Sequence, residues 1–202
     1  MVNWRHLPNI LTISRVPLMF IVVALMFMEW RGAATAAFWL FIAAALSDWL
    51  DGLIARNLNI VSPFGRFMDA VIDKVMIIGL MIALVNGDYF MGYQVTAMVL
   101  LLAMLCREFA ISGLRMAAAT KGIVVEADTG GKVKAFFQFN AIGWLMGARM
   151  LKQDFGNLFP ADEIWIVNLI HWLGMVWFLC AAVLTITSGI AYFRRHWRVV
   201  ME

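Results

Sequence analysis

The run Asp48-Trp49-Leu50-Asp51-Gly52-Leu53-Ile54-Ala55-Arg56, followed by Gly65, Asp69 and Asp73, sets four carboxylates among some of the most apolar sequence in the chain. Asp48 and Asp51 are three apart and Asp69 and Asp73 four apart, so on helices each pair shares a face. Carboxylates at membrane depth are costly unless they are paired, protonated or bound to cations. If the two helices are neighbours, four negative charges converge on one small volume and call for a bound metal or for protonation. Glycine and alanine between the acids leave room for a bulky ligand. The stretch reads as a site, not as core.

Composition says what surrounds it. The 202 residues are 63% hydrophobic and only 14% charged, with a mean hydropathy of +0.83. Soluble domains are about 45–50% apolar, so the excess points to a polytopic membrane protein. The net charge of +3 then reflects topology and anionic head groups, and no nucleic-acid partner is expected. Cys106 and Cys180 sit in apolar runs without metal spacing and read as free thiols. Val16 to Met28 has the length of a signal-peptide core, with a small-x-small triplet at Ala34-Thr35-Ala36, but that triplet lies late. An uncleaved first helix is expected.

Apolar segments and turn signals divide the chain into six helices, at about 7–29, 33–56, 67–85, 93–119, 132–151 and 164–192. The expectation is a single all-α membrane domain over residues 1–202, with six transmembrane helices. The short link from Asn57 to Gly65 is expected to force the second and third helices into an antiparallel hairpin, bringing both acid pairs to the same side. Asn9, Thr12 and Arg15 form a polar stripe on the first helix, read equally well as site residues or as interfacial snorkelling groups. Gly143 and Gly147 read as an intramolecular packing ridge, and His171 as a structural or interfacial residue. With the amino terminus inside, thirteen of the sixteen Lys and Arg residues fall on the inner side, leaving Arg31, Arg149 and Lys152 outside. That bias puts both termini and the four aspartates at the cytoplasmic side of a cell's inner membrane.

Oxygen ligands without His or Cys select Mg²⁺, Mn²⁺ or Ca²⁺. Four carboxylates can hold two such ions, an arrangement suited to clamping a pyrophosphate during in-line displacement. Gly52, Ala55 and Gly65 would let a nucleotide approach the backbone, and Arg56 would meet its phosphates. Asp73 sits deepest in the third helix and is the candidate to take a proton from an attacking hydroxyl. Small residues alone would mean helix packing; beside four acids they mean a ligand.

The pattern Asp48-x2-Asp51-Gly52-x2-Ala55-Arg56-x8-Gly65-x3-Asp69-x3-Asp73 resembles, without departure, the signature of the CDP-alcohol phosphatidyltransferase family. The resemblance implies a six-helix membrane fold, often homodimeric, two divalent metals (Mg²⁺ or Mn²⁺), and transfer of a phosphatidyl group from CDP-diacylglycerol with release of CMP. It implies that Asp48, Asp51, Asp69 and Asp73 hold the metals, that Asp73 is also the general base, and that Gly52, Ala55, Arg56 and Gly65 contact the cytidine diphosphate.

Two further segments are similar to the bacterial phosphatidylglycerophosphate synthase branch: Asn9 to Arg15, including Thr12, and Arg107 to Arg115 together with Gly131, Lys132 and Lys134. Physically, Arg107, Arg115, Lys132 and Lys134 form an anion site at cytoplasmic helix ends, two of them at a helix amino terminus. A phosphorylated acceptor such as sn-glycerol 3-phosphate needs such a pocket. A sister transferase using inositol phosphate is the nearest alternative. A carboxylate-lined cation carrier is the alternative of another class, and it leaves the fixed glycines, alanine and arginine without a purpose.

Overall fold

The computed structural model describes residues 7–57, 63–123, 130–158 and 164–201; within these ranges the side chains of 7–12, 48–57, 63–67, 69–70, 130–132, 164 and 198–201 lie outside the described residues. Among the described residues the chain is all-α. Its helices are α1 (Leu7–Met26), α2 (Ala33–Asn57), α3 (Pro63–Asn86), α4 (Gln94–Thr120), α5 (Gly130–Asp154) and α6 (Ile164–Met201), with one 3-10 turn at Gly156–Leu158. Two boundaries differ most from the sequence reading. Helix α3 begins at Pro63, because proline is tolerated in a first turn where its missing N–H has no partner to lose. Helix α6 continues past residue 192 to Met201, since no Gly or Pro interrupts that stretch.

The helices run up and down, which sorts polar side chains to two ends. At one end the close of α1 meets the close of α5, where Gln153 Nε2 donates to the Met28 carbonyl at 3.2 Å. There too His171 of α6 donates to the Tyr89 carbonyl, just beyond α3, at 2.7 Å, a structural role as expected. The chain reverses between α3 and α4 through left-handed residues Asp88, Met91 and Gly92. At the other end lie Arg15, Asp73, Arg107, Lys134 and Tyr192.

Helix α1 packs against α2 and α3, α2 against α5, α5 along α6, and α6 against α4. Among the described residues α2 and α3 make no contact; the expected hairpin, around 48–57 and 63–70, falls largely outside them. Helix α1 lies against both, and Gly79 makes the room: a Cβ there would stand 2.5 Å from Met19 Sδ. Gly174 lets α6 approach α5, since a Cβ would lie 3.0 Å from the Leu145 backbone nitrogen. The Gly143–Gly147 ridge carries the phenyl rings of α2, with Phe41 and Phe38 at 3.6 and 3.4 Å from the positions their Cβ atoms would take. Leu80, Leu84, Leu101, Ile142 and Leu145 form the fully buried centre.

Large apolar side chains also face outward, among them Phe20, Trp39, Val95, Val99, Phe109, Met116, Leu169, Val176 and Val183. An apolar surface spread over so many helices is a liability in water and normal against lipid. Gln94–Thr120 and Trp165–Trp197, with mean hydropathies of 1.8 and 2.1, are long and apolar enough to cross a membrane.

One carboxylate locks the end of the bundle that carries Met28 and Tyr89. Helix α2 starts after Gly32, which has no side chain to cap the first N–H groups. Asp154, at the end of α5, does so instead. Its Oδ1 accepts from the Gly32 N–H at 2.9 Å, and its Oδ2 accepts from the Thr35 N–H at 2.7 Å and the Thr35 hydroxyl at 2.6 Å. Burial pushes this carboxyl's pKa up, but the Thr35 hydroxyl, the two backbone N–H groups and Arg31 outweigh it and hold the pKa below the usual carboxylate value. A depressed native pKa contributes stability that is present above the unfolded value and lost as pH falls through the native one, so the clamp weakens below about pH 4. Asp154→Ala should lower the thermal midpoint in detergent by the loss of a cap, roughly 1 kcal/mol. Asp154→Asn should in addition flatten the decline in stability on the acid side; a wild-type acid profile in Asp154→Asn would remove the clamp from the account.

Candidate active site

Asp73 projects from α3 with 33% of its side chain exposed, and the Arg15 guanidinium of α1 donates to its Oδ1 at 3.1 Å. Arg15 itself is 2% exposed. It is therefore no snorkelling interfacial group; it is a buried cation held against the acid from which the signature takes its last position. Burying a guanidinium is costly without such a partner.

Beside Asp73 opens a cavity of about 260 Å³. Helix α3 contributes Asp73 and Lys74, α4 contributes Arg107, Glu108 and Arg115, α5 contributes Lys134, and α6 contributes Tyr192. Of the acceptor-pocket residues expected from sequence, Arg107, Arg115 and Lys134 are thus brought together with Asp73. Thr12 and Lys132 fall on helices α1 and α5, and their side chains lie outside the described residues. The same holds for Asp48, Asp51, Gly52, Ala55 and Arg56 on α2 and for Gly65 and Asp69 on α3. The helical backbone keeps Asp48 and Asp51 on one face of α2, and Asp69 and Asp73 on one face of α3. Among the described residues no three His, Cys, Asp or Glu side chains gather as metal ligands.

The charges in the cavity are organised by Glu108. Its Oε1 accepts from Arg107 Nη1 at 2.9 Å and from Lys134 Nζ, and its Oε2 lies 3.6 Å from Lys74 Nζ. Lys74 also donates to Ser112 at 3.3 Å. Arg107, Glu108 and Lys134 are mostly buried, so these contacts act with little water to screen them. Four cations line the cavity against two carboxylates, and Asp73 already has Arg15. With Arg15 set against Asp73, the surplus among the described residues is three positive charges, which suits a phosphate dianion.

Helix α6 holds the two arginines. Ser188 accepts from Arg107 Nη2 at 3.0 Å, and the Tyr192 hydroxyl accepts from Arg115 Nε at 3.1 Å while its ring lies 5.7 Å from the guanidinium. Sequence reasoning missed Lys74, counted only for topology, and it missed Ser188 and Tyr192 entirely. Lys74 had a signal, since it follows Asp73 directly. Glu108 had one too: Glu108, Ser112 and Arg115 are spaced at four and seven along α4. Ser188 and Tyr192 are also four apart, but nothing in the apolar run of α6 tells such a pair from ordinary packing residues.

Most of the chain is matched in known proteins. Residues 5–186 fit the sequence profile described as CDP-alcohol phosphatidyltransferase. The chain is 30% identical to the CDP-diacylglycerol–glycerol-3-phosphate 3-phosphatidyltransferase of Bacillus subtilis (strain 168), over 96% of this chain and 97% of the relative. It is 34% identical to CDP-diacylglycerol–glycerol-3-phosphate 3-phosphatidyltransferase 2 of Arabidopsis thaliana, over 97% of this chain and 82% of that protein. It is 32% identical to a cardiolipin synthase (CMP-forming) of Oryza sativa subsp. japonica, over 97% of this chain and 59% of the plant protein. With a profile match spanning nearly the whole chain and a bacterial relative covered over 97% of its length, the chain belongs to the CDP-alcohol phosphatidyltransferase family.

Proposed function

We propose that the chain is an integral-membrane transferase that moves the phosphatidyl group of CDP-diacylglycerol onto sn-glycerol 3-phosphate, giving phosphatidylglycerol phosphate and CMP. The observation that carries the acceptor assignment is the cationic cavity of Lys74, Arg107, Arg115 and Lys134 beside Asp73. A phosphorylated, water-soluble acceptor needs such a surplus of positive charge; a neutral alcohol does not. The names of the bacterial and plant relatives agree with this choice.

In this reading the phosphate of the acceptor sits among Arg107, Arg115 and Lys134, which turns its free hydroxyl toward Asp73. Asp73 takes the hydroxyl proton as the oxygen attacks the phosphorus bearing diacylglycerol. A new P–O bond forms to the acceptor, the pyrophosphate P–O bond breaks, and CMP leaves with that electron pair. Arg15, by its bond to Asp73 Oδ1, orients the carboxylate. Gly52, Ala55, Arg56 and Gly65 bind the cytidine diphosphate, and Thr12 and Lys132 complete the acceptor pocket.

The donor set fits a hard cation: Asp48, Asp51, Asp69 and Asp73 offer only oxygens, and Asp73 opens on the cavity. These four would hold Mg²⁺ or Mn²⁺, two ions in all, and the bound metal would neutralise charge on the pyrophosphate. All six helices span the cell's inner (cytoplasmic) membrane in this proposal, as one domain over residues 1–202. The termini and the cavity then face the cytoplasm, where soluble acceptors are found, and the protein works as a homodimer.

Asp73→Asn should reduce CMP release by at least about 10²-fold in detergent-solubilised protein that retains its thermal midpoint; near-normal turnover would sink the base assignment. Arg115→Ala should lower kcat/KM for the acceptor by about tenfold or more, as expected for losing a charged hydrogen-bond donor. In a panel of acceptors scored by CMP release from CDP-diacylglycerol, sn-glycerol 3-phosphate should far exceed inositol phosphate and serine. The rice relative's name makes phosphatidylglycerol the informative further acceptor: faster turnover with that lipid would reassign the reaction.

A further inference from the structure

The arginines of the acceptor cavity stand on α4, yet what fixes their direction is one face of α6. Thr185, Ser188, Gly189 and Tyr192 are spaced at three, four and seven and therefore lie on the same side of that helix. Ser188 Oγ donates to the Thr185 carbonyl at 3.1 Å, which leaves its lone pairs directed at Arg107 Nη2. Tyr192 supplies the oxygen for Arg115 Nε. Gly189 supplies space. A Cβ at 189 would collide with Arg107 Cγ and stand 2.9 Å from its Nε and 3.1 Å from its Cδ. Arg107 cannot simply swing aside, because Ser188 and Glu108 hold both ends of its guanidinium. Its Nε is buried without a hydrogen-bond partner among the described residues, and it faces the glycine notch together with Cγ and Cδ.

We propose that Ser188, Gly189 and Tyr192 are positioning residues for the acceptor phosphate, a notch and two hydrogen-bond acceptors on α6 that pre-set Arg107 and Arg115. The inference rests on the reading of the cavity as the phosphate pocket. Pre-setting matters because arginine side chains lose much rotamer freedom when they bind, and a template that has already taken that freedom away sharpens affinity. The three residues touch no reacting atom. Their effect is expected in acceptor binding, with the chemistry left in place.

The test is steady-state kinetics of the full chain in detergent with CDP-diacylglycerol and sn-glycerol 3-phosphate, alongside thermal midpoints. Gly189→Ala, Ser188→Ala and Tyr192→Phe should each raise the KM for sn-glycerol 3-phosphate, by about fivefold to tenfold, with the KM for CDP-diacylglycerol and kcat little changed. Gly189→Ala placed on Arg107→Ala should add nothing further, because the colliding atoms are gone. Equal effects on both substrates, or additive effects in that double variant, would mean that α6 only stabilises the fold and would overturn the proposal. If the three α6 variants are silent while Arg107→Ala and Arg115→Ala weaken the acceptor, the pocket stands and the positioning role fails. If those two arginine variants leave acceptor KM unchanged, the pocket reading fails and takes this inference with it.

Discussion

Glu108 draws Arg107 of its own helix, Lys74 of α3 and Lys134 of α5 to a single carboxylate, and without that contact the cationic half of the cavity could not be held together. Three mostly buried or half-buried cations at such range repel one another, and an apolar surround strengthens the repulsion. Removing the carboxylate would leave that charge uncompensated, a change that costs about 3–5 kcal/mol where buried pairs have been broken. Glu108 therefore permits a positive pocket to exist inside an apolar bundle before any anion arrives. The Arg15–Asp73 pair does the same for the acidic half, tying α1 to α3. Charge balance across helices is thus what fixes how they meet at this end.

Glycine sets how closely they meet elsewhere. Met19 over Gly79, Leu145 over Gly174, and Phe38 and Phe41 over the Gly143–Gly147 ridge are all knob-and-hollow contacts between helices. Between helices surrounded by lipid, close packing of this kind contributes more than the exclusion of water. Gly189 follows the same rule with a polar knob. There the hollow receives the stem of Arg107, so the means of packing α6 against α4 is also the means of aiming a side chain into the cavity.

Much of this was legible in the chain. Six helices followed from apolar segments and their turn signals, and the aspartate signature marked α2 and α3 because charge in apolar sequence demands a partner. Arg107, Arg115 and Lys134 were legible as a cationic cluster, and they do line one cavity. Three features were not. Arg15 has the same sequence appearance whether it snorkels or lies buried, and only its meeting with Asp73 decides. The close contact of α1 with α3 rests on the fit of Met19 to Gly79, a matter of shape that residue periodicity does not record. Ser188 and Tyr192 are ordinary residues in an apolar helix, given meaning by arginines about eighty positions earlier in the chain. Pairing over such distances is a tertiary fact, invisible to local pattern.

The clamp at the opposite end carries a consequence for how the protein is made. The N–H groups that open α2 belong to Gly32 and Thr35, and the carboxylate that satisfies them is 122 and 119 residues further along the chain. At a synthesis rate of about 5–20 residues per second, on the order of ten seconds pass between the emergence of α2 and that of its cap. During that interval the start of α2 has only water or lipid head groups to bond with. The arrival of Asp154 at the close of α5 then fastens the second helix to the fifth, so the bundle is latched late in translation, after the aspartate-bearing helices have been laid down.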